Sequence, residues 1–222
     1  MVIYMHRDSR TIPVNNIFCI GRNYAAHITE LGNRQEIQPL VFLKPNSSLT
    51  QEEIPIKLPV DNNLISYGTI HYETELVLLI NKRGKYIPLE QALSYVGGYG
   101  VGLDLTARDL QTIAKKNGWP WTLSKGFDHS ACVSKFLTSV ELGDPVDVFF
   151  EMRLNGIIKQ KGNTALMLFN IPYLVHYLSH AFTLTPGDLI FTGTPEGVGC
   201  LNSGDAITLN LADKLQANFF VS

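Results

Sequence analysis

The chain has 222 residues, 45% of them hydrophobic and 17% charged. That composition excludes a disordered polymer and supplies enough apolar chain for one sizeable core. One domain over residues 1–222 is expected, with residues 1–14 as a short N-terminal segment. The formal net charge of −2 carries no basic stripe, which excludes a nucleic-acid partner. The clearest apolar run, Leu76 to Ile80, is far too short to cross a bilayer, and the first residues lack an apolar leader. A cytoplasmic protein with no membrane partner is therefore expected, and the light charge favours an oligomer. Cys19, Cys132 and Cys200 stand far apart, a pattern of buried or half-buried reduced thiols rather than a disulfide framework.

In chain order, Asn15 to Ile20 reads as a short buried strand, and Tyr24 to Leu31 as a helix stopped by Gly32. The stretch from Gly32 to Gln38 is polar and reads as mobile. Leu40 to Leu43 is a strand ended by Lys44-Pro45-Asn46. Residues 51–64 are rich in Pro, Ile and Asn, which suits edge strands and turns. Glu75 to Ile80 is strongly β-like, with a turn at Lys82-Arg83-Gly84. Pro88 to Val96 has helical spacing and meets Gly97-Gly98, read as its stop. Tyr99 to Leu105 is a buried strand, and Ala107 to Lys116 a helix stopped by Asn117-Gly118. Val146 to Leu154 alternates as a strand and meets Asn155-Gly156, a hairpin signal. Asn170 caps a helix from Ile171 to Ala181, with Pro172 in its first turn. Thr185-Pro186-Gly187-Asp188 is a turn, Leu189 to Thr192 a strand, and Ile207 to Leu211 the final strand. Strands outnumber helices without regular alternation, so the fold class is α+β and mostly β rather than a doubly wound parallel sheet.

Glu73 and Glu75 are two apart in a strand-like segment, so their side chains share a face. Two adjacent carboxylates repel unless a cation lies between them, and a hard divalent ion takes oxygen ligands. Asp104 interrupts the apolar run Val101 to Leu105, and a buried carboxylate there needs a strong partner. The same spacing also fits two exposed strand glutamates and an Asp104–Arg108 pair. His27 and Glu30, at i and i+3 on a helix, can touch, which suits a general base and equally a solvated helix face. His176 and His180 lack a nearby acidic residue to complete a zinc motif and read as packed or partly exposed. Lys44 and Lys125 sit beside turn residues, as surface lysines or as contacts to an anionic substrate. The loop Gly193-Thr194-Pro195 can offer a backbone N–H and a hydroxyl to an oxyanion.

Together these segments resemble the fumarylacetoacetate hydrolase family, and its short acylpyruvase and oxaloacetate decarboxylase branch in particular. The resemblance rests on Gly21-Arg22-Asn23-Tyr24-Ala25-Ala26-His27 with Glu30, on Phe42-Leu43-Lys44-Pro45, and on His71-Tyr72-Glu73-Thr74-Glu75-Leu76. It continues through Gly102 to Asp109, Trp121 to Asp128, and Gly187 to Gly199, in the family's order. It implies a single catalytic domain with a β-rich sheet rolled around a metal site, a few peripheral helices, and a homodimer. It implies Mg²⁺ or Mn²⁺ on Glu73, Glu75 and Asp104; a lid carrying His27 and Glu30; and substrate contacts from Arg22, Lys44, Arg108, Gln111, Lys125 and Thr194.

The implied reaction is hydrolysis of a carbon–carbon bond in an acylpyruvate-type 2-oxo acid. His27 would be the base, oriented by Glu30, and Lys125 would stabilise the oxyanion. Oxaloacetate decarboxylation and tautomerisation draw on the same site. The alternatives are an isomerase or decarboxylase of aromatic-degradation intermediates, and a non-catalytic metabolite-binding protein. Asp104→Ala is expected to abolish metal binding while the fold survives.

Overall fold

The computed structural model describes residues 1–8, 11–32 and 37–222. Most of the polar stretch between Gly32 and Gln38, read above as mobile, lies outside the described residues. The chain opens with a hairpin of β1 (Val2–Tyr4) and β2 (Thr11–Pro13), too short for a periodic signal; it buries Ile3 completely. Next come β3 (Ile17–Gly21), α1 (Ala25–Glu30), β4 (Leu40–Lys44) and, after a 3-10 turn at Asn46–Ser48, β5 (Leu49–Gln51). No helix forms among residues 52–69. β6 (Ile70–Tyr72) and β7 (Thr74–Ile80) follow.

The α-helix expected over Pro88 to Val96 is a 3-10 helix at Leu89–Tyr95. Its apolar residues Leu89, Ala92 and Tyr95 recur every third residue, which matches three residues per turn. Gly97 and Gly98, read as its stop, instead belong to β8 (Val96–Asp104). They are needed there for close approach: a Cβ on Gly97 would lie 2.5 Å from the Asn81 Cβ. After β9 (Thr106–Ala107), α2 (Arg108–Asn117) ends at Gly118, whose φ of +67° supplies the left-handed stop that the sequence signalled. α3 (Thr122–Lys125), β10 (Ala131–Val133) and α4 (Ser139–Leu142) are short.

β11 (Phe149–Leu154) turns through Asn155 and Gly156, both with positive φ, into β12 (Ile157–Asn163). α5 (Ile171–Ala181) is capped by the Asn170 side chain, which accepts from the Tyr173 N–H at 3.0 Å. β13 (Leu189–Phe191), β14 (Gly199–Cys200), β15 (Ala206–Leu211) and β16 (Leu215–Phe220) complete the described elements. The last strand is therefore β16 rather than the segment 207–211. Its alternating burial, Leu215, Ala217 and Phe219 inward, was present in the sequence.

The fold is mostly β with few helices, built on a curled sheet. Seven strands run in the order β4-β3-β13-β7-β8-β10-β5, beside a four-stranded sheet β12-β11-β15-β16 and a three-stranded sheet β14-β6-β9. β7 is buried along its whole length because both faces of the large sheet are covered. Leu76, Leu78 and Ile80 enter one apolar cluster, while Val77 and Leu79 enter another. No helix among the described residues is long and apolar enough to cross a membrane.

One irregularity positions the site. The antiparallel ladder of β7 and β8 pairs Thr74 with Leu103 and Glu75 with Gly102, then stops. It resumes beyond the break as β6 and β9, where His71 faces Thr106 and Ile70 faces Ala107. At the break the Asp104 N–H donates to the Glu73 carbonyl at 2.8 Å. Glu73 and Asp104 thus face each other where one sheet passes into the next.

Candidate metal centre

Glu73, Glu75 and Asp104 converge. One carboxylate oxygen from each lies within 4.8 Å of the other two, and all three residues are buried. Glu73 and Glu75 are buried rather than exposed, and Arg108 pairs with Glu73 rather than with Asp104. Arg108 instead reaches Glu73, with Nη2 2.6 Å from Oε1, and its Nη1 donates to Gln111 Oε1 at 2.7 Å.

Two ammonium groups complete the cluster. Lys125, at the end of α3, donates to Glu73 Oε2 at 2.7 Å and to Asp104 Oδ2 at 2.6 Å. Lys44, at the end of β4, places Nζ 2.8 Å from Asp104 Oδ1 and donates to the carbonyls of Leu105 and Lys125. The Lys44 contact with Asp104 is an ion pair without hydrogen-bond geometry, so Oδ1 is a buried oxygen lacking a hydrogen-bond partner. Both lysines are only 2% exposed, which rules out surface lysines.

The charges do not settle evenly. Burial alone would raise the Glu73 carboxyl, but the charges of Lys125 and Arg108 outweigh it and hold Glu73 well below the usual range. Burial would lower Lys125, and Asp104 and Glu73 reverse that and raise it. Glu75 goes the other way. Burial pushes it up, and the neighbouring negative charges of Asp104 and Glu73 push it further. Its Oε2 accepts the Gly193 N–H at 2.7 Å. An all-oxygen donor set, an oxygen of Asp104 with no hydrogen bond and a Glu75 carboxyl raised by burial and by its neighbours' negative charge together fit a hard divalent cation.

The His27–Glu30 pair stands beside the cluster. His27 is 5% exposed, and its Nδ1 lies 3.2 Å from Glu30 Oε2. The solvated-face reading fails for His27, which is buried. Glu30 Oε1 accepts the Gly197 N–H at 2.9 Å, tying α1 to the loop after β13. Arg22, just before α1, has φ +60°. Its turn is held by the fully buried Asn23, which donates to the carbonyls of Thr192 and Phe169 and accepts from the Phe169 N–H.

Thr194 does not face open space. Its Oγ1 accepts from Gln160 Nε2 at 2.8 Å. Gln160, which the sequence reading missed, also accepts the Thr74 N–H at 2.9 Å and so joins the loop after β13 to the strand carrying Glu75. Its signal was an uncharged amide between Lys159 and Lys161 in an alternating strand. His176 packs with Nδ1 2.8 Å from the Ile87 carbonyl, and His180 with Nδ1 2.9 Å from the His176 carbonyl. Cys19 and Cys132 are buried, and burial raises both thiols. Cys200 corrects the sequence reading: it is exposed, because β14 lies at the rim of the three-stranded sheet.

A family model, fumarylacetoacetate (FAA) hydrolase C-terminal, matches residues 16–218. The chain belongs to the fumarylacetoacetate hydrolase family. The mitochondrial oxaloacetate tautomerase FAHD1 of Mus musculus is 41% identical over 206 residues, covering 93% of this chain and 91% of the relative. The mitochondrial oxaloacetate decarboxylase of Dictyostelium discoideum is 45% identical over 192 residues, covering 86% of each chain. Among solved structures, fumarylpyruvate hydrolase from Pseudomonas aeruginosa in complex with Mn²⁺ and pyruvate superposes with a TM-score of 0.92 at 35% identity, covering 100% of this chain and 95% of that one. The chain is therefore an enzyme of the fumarylacetoacetate hydrolase family. The mouse and Dictyostelium relatives are mitochondrial, so they lend nothing to the cytoplasmic expectation.

The raised Glu75 carboxyl gives metal binding a pH sign. A carboxyl raised in this way favours its protonated form, and a proton there competes with a cation, so affinity is expected to rise with pH. Calorimetric titration of Mn²⁺ in buffers of different ionisation enthalpy, between about pH 6 and pH 8, is expected to show proton release and tightening affinity. Pure pH-independent binding would contradict the assignment. Asp104→Ala also needs revision, because it leaves Lys44 and Lys125 buried without their shared counter-charge. A loss of about 3–5 kcal/mol is expected in denaturant melts. Asp104→Asn, which keeps the side-chain shape, should lose less stability while still losing Mn²⁺.

Proposed function

We propose that this enzyme hydrolyses a carbon–carbon bond in acylpyruvate-type 2-oxo acids, yielding pyruvate and a carboxylic acid, and that Mg²⁺ or Mn²⁺ is its cofactor. The observation that carries the reading is the buried carboxylate triad with a His–Glu pair beside it. The Mn²⁺ and pyruvate bound to the Pseudomonas relative support it. The oxaloacetate enzymes of mouse and Dictyostelium support a second use of the same site, on oxaloacetate. Glu73, Glu75 and Asp104 would hold the cation, which supplies Lewis acidity to the oxygens of the 2-oxo acid.

The chain's own residues do the rest. With Nδ1–H donated to Glu30, His27 keeps Nε2 as a proton acceptor. It takes a proton from water, and the hydroxide adds to the distal carbonyl carbon. Lys125 has three N–H donors and directs two of them to Glu73 and Asp104, so the third serves the oxyanion. Collapse of the oxyanion breaks the bond to the pyruvate methylene, and the carbanion, delocalised as the enolate of pyruvate, takes up a proton. Arg108 and Gln111, already joined, present one polar face toward the substrate carboxylate. Lys44 and Thr194 act through Asp104 and Gln160, as positioning residues. Loss of CO₂ from oxaloacetate reaches the same enolate without water.

The working form is proposed to be a homodimer of this single catalytic domain, a reading supported by exposed apolar side chains such as Val60, Leu64, Val140 and Phe149.

His27→Ala tests the assignment. Acylpyruvate hydrolysis is expected to fall about 100-fold or more, with oxaloacetate decarboxylation falling less and Mn²⁺ affinity unchanged. Unchanged hydrolysis at full metal occupancy would remove His27 from the mechanism.

A further inference from the structure

The histidines singled out in the sequence, His176 and His180, take no part in the chemistry proposed above. Both lie on α5, where residues four apart stand one above the other. Their ring centroids are 4.4 Å apart. Each Nδ1 meets a backbone carbonyl: that of Ile87 for His176, at 2.8 Å, and that of His176 for His180, at 2.9 Å. A carbonyl only accepts, so Nδ1 carries the hydrogen in both rings and the neutral imidazole keeps its lone pair on Nε2. Among the described residues, no hydrogen bond engages either Nε2. Two tyrosines frame the pair. The Tyr173 ring lies 6.3 Å from that of His176, and the Tyr86 ring packs edge-on, 5.4 Å from that of His180. His176 is half-buried and His180 is exposed.

We propose that His176 and His180 form a second metal site, a bis-imidazole clamp on α5 for a late first-row transition ion, Cu²⁺ foremost with Ni²⁺ and Zn²⁺ behind it. A histidine that ligates a metal commonly donates its other ring N–H to a carboxylate or a backbone carbonyl, which fixes the tautomer and aims the ring. Both rings already do so, and the His180 ring folds back over the turn of His176 to do it. Two nitrogens on one ion, each at about 2.0–2.1 Å, stand about 3 Å apart. Rings with centroids 4.4 Å apart reach that spacing by small rotations. Water completes the coordination. Donor chemistry separates this site from the triad: three carboxylates offer hard oxygens to Mg²⁺ or Mn²⁺, whereas two imidazoles offer nitrogen, which copper binds most tightly. The effect of the ion reaches past the helix. Ile87 holds His176 through its carbonyl and donates its N–H to Ser179 Oγ, and the Tyr86 N–H donates to the Ser179 carbonyl. An ion on the pair therefore pins the last turns of α5 to residues 86–87, a junction it stabilises by mass action.

Electron paramagnetic resonance of Cu²⁺ added to the full chain tests the site. Cys200→Ser is the background, because that exposed thiol would compete for copper. Mg²⁺ is kept in excess, so that the carboxylates meet a hard ion that gives no signal. One equivalent of Cu²⁺ is expected to show hyperfine coupling to two imidazole nitrogens. His180→Ala removes an exposed ring and leaves the contact of His176 with Ile87 in place, so the fold is retained. It should reduce the spectrum to one imidazole nitrogen at most and weaken copper binding by at least about tenfold. His176→Ala should do the same to the spectrum. Copper held by oxygen alone or by a single nitrogen in the background protein overturns the site. So does a two-nitrogen spectrum that His180→Ala leaves unchanged.

Discussion

The structure turns on one electrostatic constraint: Glu75 is a buried carboxyl beside two other carboxylates and, among the described residues, has no ion-pair partner of its own. Lys125 and Arg108 satisfy Glu73, and Lys44 and Lys125 satisfy Asp104. Three cations thus face three carboxylates, but they serve only two of them. A group of this kind is stable as the neutral acid or beneath a metal ion, and the second state is the one with chemistry attached. The neighbouring lysines hold the carboxylates in place. They also set the limit on mutation, since removing Asp104 takes a counter-charge from both buried ammonium groups.

Everything that places the acids follows from an interrupted hairpin. Had β6 and β7 run on as one strand opposite β8 and β9, Glu73 and Asp104 would have stayed in the ladder's ordinary alternation. The break at Glu73 and Asp104 turns both inward, and Gly102 opposite Glu75 admits the close packing of β10, where a Cβ would fall 2.4 Å from the Cys132 carbonyl. α1 is joined to this frame by contacts that include the one from His27 through Glu30 to Gly197. The His27–Glu30 pair and the carboxylate triad are therefore held by different segments, α1 on one side and the sheet on the other, and meet only in three dimensions.

Much of this was legible in the sequence, and the reasons differ by element. Strands β3, β4, β7, β13 and β15 and helices α1, α2 and α5 announced themselves by apolar runs, caps and stop glycines. The carboxylate spacing left the triad open and the family resemblance implied it, although the sequence placed Glu73 in the strand when it lies at the break. The 3-10 helix at 89–95 was misread as α because three- and four-residue spacings overlap over so short a window. Gly97 and Gly98 looked like a helix stop because a sequence shows which glycines are flexible but not which are needed for contact. The buried state of Lys44 and Lys125, and the bridging by Gln160, depend on partners 21 to 86 residues away, which no local pattern carries.

The central claim is that one cation binds all three acids at once. An anomalous difference map from a crystal of the Mn²⁺-loaded protein tests it most directly. A single strong peak within coordinating distance of an oxygen from each of Glu73, Glu75 and Asp104 is the predicted result. A peak elsewhere, or full occupancy of the pocket by the Lys125 ammonium with Mn²⁺ absent, would contradict it.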